Sequence, residues 1–321
     1  MKGRFAPSPT GRMHLGNIYS ALLSWLSVRS QGGEWVLRIE DLDPQRSRRE
    51  FAEQMEDDLR WLGLNWDEGG LSSNSTSQSS YVQSERSEIY AHYLNILTQK
   101  GLTYPCYCTR ADIMATQAPH ESDGRIVYAG TCRPKALDVD SAWRNAASHP
   151  SGRKPATRLI VPDEEIGFVD GHYGPQSVNL AKHCGDFVLR RADGAWAYQL
   201  AVVVDDALMG ITEVVRGRDL LLSAPQQIYL YRLLDFPVPT FCHLPLLCNE
   251  SGQRLCKRDK SLDLGEIRKA GHQPETVLGQ LAYYAGIIDH AEPVAACDLV
   301  AEFSWDKVPV KDILVRPNFG E

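Results

Sequence analysis

The stretch that decides the fold reads RFAPSPTGRMHLGN and spans residues 4–17. A short strand predicted at residues 3–6 enters a turn rich in proline and glycine, and a helix is predicted to begin near Gly16. A helix N-terminus presents backbone N–H groups and a partial positive charge, which suits a phosphate. Gly16 lets a nucleotide approach the backbone closely, and His14 can donate hydrogen bonds to phosphate oxygens. The pattern therefore predicts a nucleotide site at this turn.

Strand and helix patterns alternate along the rest of the chain. Apolar residues at helical spacing predict helices at 18–30, 51–62, 220–234 and 275–288. Stretches rich in β-formers predict strands at 35–39, 186–190 and 198–204. Residues 69–80 are interpreted as a surface loop, and 136–154 as a linker or insertion. The alternation predicts an α/β fold, with helices packed on a parallel sheet.

Composition argues against a membrane protein and otherwise leaves the function open. The 321 residues include 43% hydrophobic and 23% charged residues, which is ordinary for a globular protein. No apolar run reaches the roughly 18 residues that a membrane helix needs. The first residues lack the apolar core of a signal peptide, so we expect a cytoplasmic location. A net charge of −7 argues against a general nucleic-acid coat protein, because phosphate contacts need Lys and Arg.

Charged residues follow the strand predicted at 35–39. Residues 40–43, which include Glu40, Asp41 and Asp43, stand at its carboxyl end, where parallel sheets bind ligands, so we expect them near His14. A substrate carboxylate needs a cation, and arginine offers a planar fork that matches it. The candidates are Arg4, Arg216 and Arg218. Taken alone, the last two are equally consistent with surface charges at a strand end.

Three of the eight cysteines lie close together in the sequence, at Cys106, Cys108 and Cys132. In a reducing compartment, metal binding or burial is more common than a disulfide. Three thiolates hold zinc when a fourth ligand is present, and His120 is a generic fourth ligand. The spacing alone leaves zinc and simple burial equally open. We expect the other five cysteines to pack in the core.

Four strings together resemble the class I aminoacyl-tRNA synthetases, in the form typical of the glutamyl enzymes. PSPTGRMHLGN at 7–17 is similar to their PSPTG and HIGH-type signature, with Asn17 at the position of the last histidine. RIEDLDP at 38–44 is similar to RIEDTDP, and DDALMGITEVVRGRDLL at 205–221 is similar to their MGITHVIRG segment. KRDKS at 257–261 is similar to the KMSKS loop, although such strings alone are common in solvated loops. The resemblance implies a Rossmann-type catalytic domain.

The resemblance also implies which residues bind which substrate. It assigns the glutamate site to Arg4, Phe5, Ala6, Pro7, Ser8, Glu40, Tyr198 and Arg216. It assigns the site for ATP with Mg²⁺ to His14, Gly16, Asn17, Lys257, Lys260 and Ser261. His14 and Lys260 are expected to be catalytic, since fixed cations and donors lower the barrier as charge builds on the α-phosphate. Glu40 is expected to accept a hydrogen bond from the α-ammonium group.

YPCYC at 104–108 and YAGTC at 128–132 resemble the zinc-binding insert of glutamyl-type synthetases. That resemblance implies one structural zinc ion, held by Cys106, Cys108, Tyr128 and Cys132. His120 is the alternative fourth ligand. An insert of this kind is expected to position an RNA acceptor end.

The length of the chain after the basic loop indicates a branch of the family. Only 60 residues follow Ser261, too few for the anticodon-binding domain that follows this loop in glutamyl-tRNA synthetases. The arrangement resembles the glutamyl-queuosine branch, whose members are truncated paralogues. That branch implies activation of glutamate without tRNA, followed by esterification to the queuosine of tRNA(Asp). The expected partners are ATP, L-glutamate and queuosine-containing tRNA(Asp), with no membrane, and the expected state is a monomer.

We expect four parts along the chain. Residues 1–100 and 186–250 form the two halves of the catalytic domain, and 101–185 form the zinc-binding and acceptor-binding insertion. Residues 251–321 hold the basic loop and a short helical C-terminal region, with no anticodon-binding domain. Two alternatives stay open. One is a tRNA(Glu) synthetase that acts with a separate anticodon-binding partner; the other is an idle paralogue that binds tRNA or glutamate.

Overall fold

A parallel sheet of five strands lies at the centre of the computed structural model, which describes residues 1–71, 80–115, 127–150, 152–255 and 263–315. The strands are β1 (Lys2–Phe5), β2 (Glu34–Leu37), β3 (Glu68–Gly69), β4 (Thr103–Cys106), β5 (Ala156–Leu159), β6 (Glu165–Asp170), β7 (Gly174–Asn179), β8 (Phe187–Arg190), β9 (Glu213–Gly217), β10 (Thr240–Leu244), β11 (Leu247–Cys248) and β12 (Ile313–Leu314). The helices are α1 (Leu15–Arg29), α2 (Arg49–Trp61), α3 (Ser87–Gln99), α4 (Arg110–Ala115), α5 (Val139–Arg144), α6 (Leu180–His183), α7 (Tyr198–Leu208), α8 (Ala224–Leu233), α9 (Leu264–Lys269) and α10 (Pro274–Tyr284).

The strand order of the central sheet is β10-β9-β1-β2-β3, and every neighbouring pair is parallel. The prediction of an α/β fold with a parallel sheet is confirmed. β1 has β2 on one side and β9 on the other, so the strand order reverses beside β1. Open parallel sheets bind ligands at such a reversal, outside the carboxyl ends of the strands. The turn that follows β1 lies at this position.

Helix α1 fixes the far end of that turn. Its side chains Ile18, Leu22 and Leu26 are fully buried, and each such burial stabilises the fold by about 2 kcal/mol. The helix approaches β1 so closely that position 3 has to be glycine. A Cβ atom on Gly3 would lie 2.4 Å from Cγ2 of Val28. The strand and the helix on either side of the turn are therefore held against each other.

The strand predicted at 198–204 is wrong, because this segment forms α7. Its valines favour a strand by composition, which suggested the wrong element. Residues 200–206 are all buried, so the helix has apolar contacts on nearly every side and shows no helical alternation. Periodicity cannot separate a buried helix from a buried strand in so short a run. The helix predicted at 220–234 begins only at Ala224, after a 3₁₀ turn at Arg218–Ser223.

Antiparallel strands lie between α3 and α7 in the chain. β4, β5 and β8 form a three-stranded sheet, and β6 and β7 form a hairpin. The stretch 136–154 includes α5, and most of 69–80 lies outside the described residues. The four-part division of the chain stays a prediction. No helix in the described part of the chain is long and apolar enough to cross a bilayer.

Four buried charged side chains connect α7 to β1 and to the residues that follow β2. They are Arg4, Arg38, Glu40 and Asp206, and we call them the arginine–carboxylate network. Arg38 is fully buried, and its Nη1 atom donates to Oδ1 of Asp206 at 2.6 Å. Its Nη2 atom donates to Oε1 of Glu40 at 3.0 Å. Arg4 on β1 donates from Nε to Oδ1 of Asp206 at 3.3 Å. Asp206 of α7 thus binds one arginine in β1 and another in the segment after β2.

The neighbouring carboxylate of α7, Asp205, lies 3.9 Å from Nε of Arg38 and makes its hydrogen bonds to a different part of the chain. It accepts hydrogen bonds from Nε of Arg86 at 2.7 Å, Nε2 of Gln83 at 2.8 Å and the hydroxyl of Tyr90 at 2.8 Å. Buried carboxylates are tolerated only when they are paired in this way. Helix α7 is therefore anchored on both sides, and its first residue, Tyr198, is held at the carboxyl edge of the sheet.

Removing Arg38 is expected to destabilise the protein strongly, because three buried carboxylates, those of Glu40, Asp205 and Asp206, lose an ion-pair partner. We expect Arg38→Met to lower the free energy of unfolding by about 3–5 kcal/mol, measured by urea denaturation. The control is Arg49→Met, which breaks an exposed pair with Glu53 and should cost less than about 1 kcal/mol. Equal losses in the two variants would contradict this account of the network.

Candidate active site

A cavity of about 320 Å³ lies at the carboxyl edge of the central sheet, within the roughly 300–1,000 Å³ typical of small-ligand sites. We call it the active-site cavity. Every predicted glutamate or ATP ligand in the described part of the chain lines it: Arg4, Phe5, Ala6, Pro7, Ser8, His14, Gly16, Asn17, Glu40, Tyr198 and Arg216. The other three predicted ligands, Lys257, Lys260 and Ser261, lie outside the described residues. The structure thus brings residues from four separate segments around one space; their roles stay predictions.

His14 caps the N-terminus of α1 at the wall of this cavity. Its Nδ1 atom accepts a hydrogen bond from the Gly16 amide at 3.1 Å, and Oδ1 of Asn17 accepts one from the His14 amide at 3.2 Å. Because Nδ1 accepts, the proton of the neutral imidazole lies on Nε2. A Cβ atom on Gly16 would lie 3.0 Å from the His14 ring, so glycine also makes room for the cap. A ring N–H donor is therefore held beside a helix N-terminus, an arrangement that suits phosphate.

Arg4 and Glu40 bring opposite charges to the cavity wall. Both side chains are buried, with 4% and 8% of their surface exposed. Burial raises the pKa of Glu40 above its usual value, and the coulombic pull of Arg38 and Arg4 opposes that shift. A further cation in the cavity, such as an ammonium group, would stabilise the ionised form of Glu40.

Arg216 is oriented by two buried residues that our sequence analysis missed. Its Nε atom donates to Nε2 of His243 at 3.0 Å, and Nδ1 of His243 lies 2.5 Å from Oδ2 of Asp170. Arginine has no acceptor, so His243 accepts at Nε2 and donates from Nδ1. Burial lowers the pKa of His243, although the hydrogen bond with Asp170 opposes the shift, and a neutral ring follows. His243 therefore orients Arg216 without neutralising it.

The remaining hydrogen bonds of Arg216 also go to neutral groups within the described residues. Its Nη1 atom donates to Oε1 of Gln227 at 2.8 Å, and Nη2 donates to the carbonyl of Leu220 at 3.3 Å. Burial lowers the pKa of Arg216, which reflects the cost of holding its charge away from water. A buried cation with neutral partners favours an anionic ligand. Arg218, the other candidate, instead pairs with Asp312 at 2.5 Å and does not line the cavity.

The described residues before the basic loop reach the cavity, and those after it are bonded to the turn that carries His14. Leu255, which precedes the loop, lines it. After the loop, the Leu264 amide donates to the Met13 carbonyl at 3.1 Å, and Asp263 forms a β-bridge with His14. The chain therefore leaves and returns next to the predicted phosphate site.

Three cysteine sulfurs and a phenol converge beside β4. The Sγ atoms of Cys106, Cys108 and Cys132 lie within 4.8 Å of one another, and the last two are 3.5 Å apart. The Tyr128 hydroxyl lies 3.4 Å from Sγ of Cys106 and 3.8 Å from Sγ of Cys108. Tetrahedral ligands about 2.3 Å from a metal ion stand roughly 3.5–3.8 Å apart. The three sulfurs are therefore close enough to hold one metal ion, and the Tyr128 hydroxyl lies beside them; Tyr128 as the fourth ligand stays a prediction, and the alternative, His120, lies outside the described residues.

The surroundings of the cluster favour a cation there. Burial raises the pKa of Cys108 to about 11, so its thiolate form needs a positive charge nearby. Arg158 supplies part of that charge, with Nε 3.2 Å from Sγ of Cys106 and its guanidinium 3.7 Å above the Tyr128 ring. A divalent metal ion with three thiolates keeps one net negative charge, which Arg158 balances.

Comparison with known proteins agrees with this geometry. The family described as tRNA synthetases class I (E and Q), catalytic domain, matches residues 1–299. The chain belongs to this family. It is 49% identical over 316 residues to a Glutamyl-Q tRNA(Asp) synthetase of Symbiobacterium thermophilum, covering 98% of this chain and 95% of the relative.

Two further proteins match this chain over only part of their own length. It is 42% identical to a Glutamate–tRNA ligase 2 of Alkalilimnicola ehrlichii, over 90% of this chain but only 60% of the relative. A crystal structure of a glutamate tRNA ligase from Elizabethkingia meningosepticum, in complex with its amino acid, superposes with a TM-score of 0.81 at 28% identity. That match covers 98% of this chain and 66% of the ligase. The Rossmann-type class I synthetase fold predicted from the four strings is confirmed.

The role of His243 can be separated from a purely structural one. His243→Asn keeps a polar group toward Asp170 but loses the acceptor for Arg216, whereas His243→Gln keeps a polar group near the Nε2 position. In amino-acid-dependent ATP–pyrophosphate exchange, we expect His243→Asn to raise the KM for the amino acid about tenfold or more. The KM for ATP should not change, and His243→Gln should retain more affinity. Equal increases in both KM values would contradict a positioning role.

Proposed function

We propose that this protein activates glutamate with ATP, without needing tRNA, and then transfers the glutamyl group to queuosine in tRNA(Asp). The observation that carries the proposal is one cavity lined by buried Arg4 and Arg216, by Glu40 and by the His14-capped end of α1. These groups match, in turn, the carboxylates, the ammonium group and the phosphates of the reactants. The relative named Glutamyl-Q tRNA(Asp) synthetase, 95% of which this chain covers, supports the choice of acceptor.

In the first step, the α-carboxylate oxygen of glutamate attacks the α-phosphorus of ATP. The bond from that phosphorus to the bridging oxygen breaks, and pyrophosphate leaves with the electron pair. Arg4 and Arg216 hold the carboxylates of glutamate, and Glu40 accepts a hydrogen bond from its ammonium group. The amides at the start of α1 and the Nε2 proton of His14 stabilise charge on the phosphates. Lys257, Lys260 and Ser261 complete the phosphate site from the basic loop.

In the second step, a hydroxyl oxygen of the queuosine cyclopentenediol attacks the glutamyl carbonyl carbon. The bond from this carbon to the phosphate oxygen breaks, AMP leaves, and the hydroxyl proton passes to solvent. The product is a glutamyl ester of the modified base. The mixed anhydride made in the first step drives this transfer, so no second ATP is needed.

Zinc is the ion that best suits the cysteine cluster, since zinc favours tetrahedral sites rich in sulfur. Cys106, Cys108, Cys132 and Tyr128 would hold one structural ion, which braces the antiparallel sheet and takes no part in the reaction. Mg²⁺ accompanies ATP and neutralises its phosphates. Both ATP and tRNA substrates favour a cytoplasmic location.

Glutamate-dependent exchange of pyrophosphate into ATP should occur with no tRNA present. Arg216→Met should reduce kcat/KM for glutamate by about tenfold or more, because the variant removes a buried charged partner of the substrate. Arg218→Met, which changes a neighbouring arginine outside the cavity, is the matched control and should stay within about twofold. Absence of tRNA-free exchange in the wild-type protein would contradict the proposal.

A charging assay separates this function from that of a tRNA(Glu) synthetase. Labelled glutamate should appear on queuosine-containing tRNA(Asp), and periodate treatment of the tRNA should abolish it by cleaving the diol. tRNA(Asp) with unmodified guanosine is the control and should accept nothing. Charging of tRNA(Glu) instead would favour the alternative, and exchange without any charging would exclude both transfer reactions.

Removing one ligand should release the metal ion from the cysteine cluster. We expect Cys132→Ser to lose bound zinc, measured by mass spectrometry of the native protein, and to lower the melting temperature by several degrees, for a loss of about 2 kcal/mol or more. The expectation that Cys297 packs in the core is wrong, since this cysteine is exposed. Cys297→Ser, outside the cluster, is therefore the control and should change neither quantity. A wild-type protein without zinc, or a Cys132→Ser variant of unchanged stability, would contradict the zinc site.

A further inference from the structure

A second cavity, of about 410 Å³, adjoins the active-site cavity. The two cavities share four lining residues, which are Ser8, Thr10, Glu40 and Tyr198. Three of these four belong to the predicted glutamate site. None of the described residues assigned to ATP, namely His14, Gly16 and Asn17, lines the second cavity. The second cavity therefore opens onto the amino-acid end of the active site and not onto its nucleotide end.

The outer wall of the second cavity is the loop between β2 and α2. The Ser47 amide donates to the Asp43 carbonyl at 2.8 Å, which closes the loop on itself. The Arg48 amide donates to the Pro9 carbonyl at 2.9 Å, which ties the loop to the turn after β1. The wall is thus fixed to the same turn that carries Ser8 and the predicted phosphate site.

Three polar groups on this wall keep hydrogen-bonding or charge-pairing capacity that the described residues do not use. The Asp43 carboxylate accepts a backbone hydrogen bond from Gln45 at 3.1 Å, and no described Lys, Arg or His lies within ion-pair distance of it. Arg46 is exposed and likewise forms no ion pair with a described residue. The Ser47 hydroxyl is buried, with no hydrogen-bond partner in the described part of the chain. A carboxylate, a guanidinium and a hydroxyl are therefore available to a ligand.

The second reaction step needs a separate approach to the glutamyl carbonyl. At that stage the adenylate fills the active-site cavity, so the attacking hydroxyl has to arrive from a different side. Another nearby cavity, of about 440 Å³ and lined by Ile39, Asp41 and Arg49, shares no lining residue with the active-site cavity. Glu40 and Tyr198 line the second cavity but not this 440 Å³ cavity.

We infer that the second cavity receives the side arm of queuosine, an inference that rests on the function proposed above. This side arm carries a secondary amine, which is protonated near neutral pH, and a cyclopentene ring with two hydroxyl groups. Asp43 pairs with the ammonium group, and the diol passes Glu40 and Tyr198 to reach the glutamyl carbonyl. Arg46, at the rim, pairs with a phosphate of the tRNA backbone. Unmodified guanine lacks this side arm, and therefore has neither its secondary amine nor its diol. Asp43 thus helps to select the modified base.

The decisive variant is Asp43→Asn, which keeps the shape of the side chain and removes its charge. We expect tRNA-free pyrophosphate exchange to stay within about twofold of wild type, while kcat/KM for glutamylation of queuosine-containing tRNA(Asp) falls about tenfold or more. Glu53→Gln removes the same charge from the exposed face of α2, outside both cavities, and should leave both activities unchanged.

A second variant tests the rim independently. Arg46→Gln should raise the KM for tRNA and weaken its dependence on salt, because one phosphate contact is lost. Arg49→Gln, three residues further on and outside the second cavity, is the control for charge alone. Arg46 is exposed, so this variant remains informative if Asp43→Asn fails to fold, which circular dichroism and urea denaturation would reveal.

The possible results bear on the two proposals differently. If the wild-type protein glutamylates queuosine and folded Asp43→Asn does so equally well, the acceptor site is overturned while the proposed function stands. Equal loss of exchange and transfer in folded Asp43→Asn also overturns it, because the residue would then serve activation. A wild-type protein that exchanges pyrophosphate but does not glutamylate queuosine overturns the proposed acceptor and this inference together.

Discussion

The ion pair between Arg38 and Asp206 is the contact on which the active-site cavity depends. Taking charges out of water is costly, and a buried pair holds only when each group finds partners. Asp206 on α7 meets this condition by binding Arg38 and Arg4, which follow or belong to the two central strands. Arg38 also donates to Glu40 through its other terminal nitrogen, and the charges of Arg38 and Arg4 both act on that carboxylate. The fold and the predicted glutamate site thus share one set of charges.

Arg216 differs from these residues in a way that bears on the chemistry. Arg4 and Arg38 face carboxylates of the protein, whereas Arg216 has only neutral hydrogen-bond partners among the described residues. His243 keeps it in place as a neutral ring, because Asp170 fixes the tautomer. An active site that is to bind a dicarboxylic amino acid needs such a cation, held in place without a hydrogen bond to a carboxylate of the protein.

Local strings predicted the turn after β1, α1 and the cysteine cluster, since each depends on residues close in the sequence. The error at 198–204 arose because a helix buried on all sides has the composition of a strand. His243 was missed because it neighbours Arg216 only through the register of β9 and β10. Arg216 and Arg218 could not be told apart, since β9 ends between them at Gly217 and only the first stays at the cavity. The second cavity depends on how distant segments pack, which no local pattern contains.

The most direct test of the account is a crystal structure with a stable sulfamoyl analogue of glutamyl-adenylate. We expect its sulfamoyl group, which replaces the phosphate, at the start of α1, within hydrogen-bond distance of Nε2 of His14. Its glutamyl side chain should contact Arg4 or Arg216, and its carbonyl carbon should face the second cavity, past Glu40 and Tyr198. An analogue bound with its glutamyl group away from these arginines, or with its carbonyl turned from the second cavity, would contradict the account.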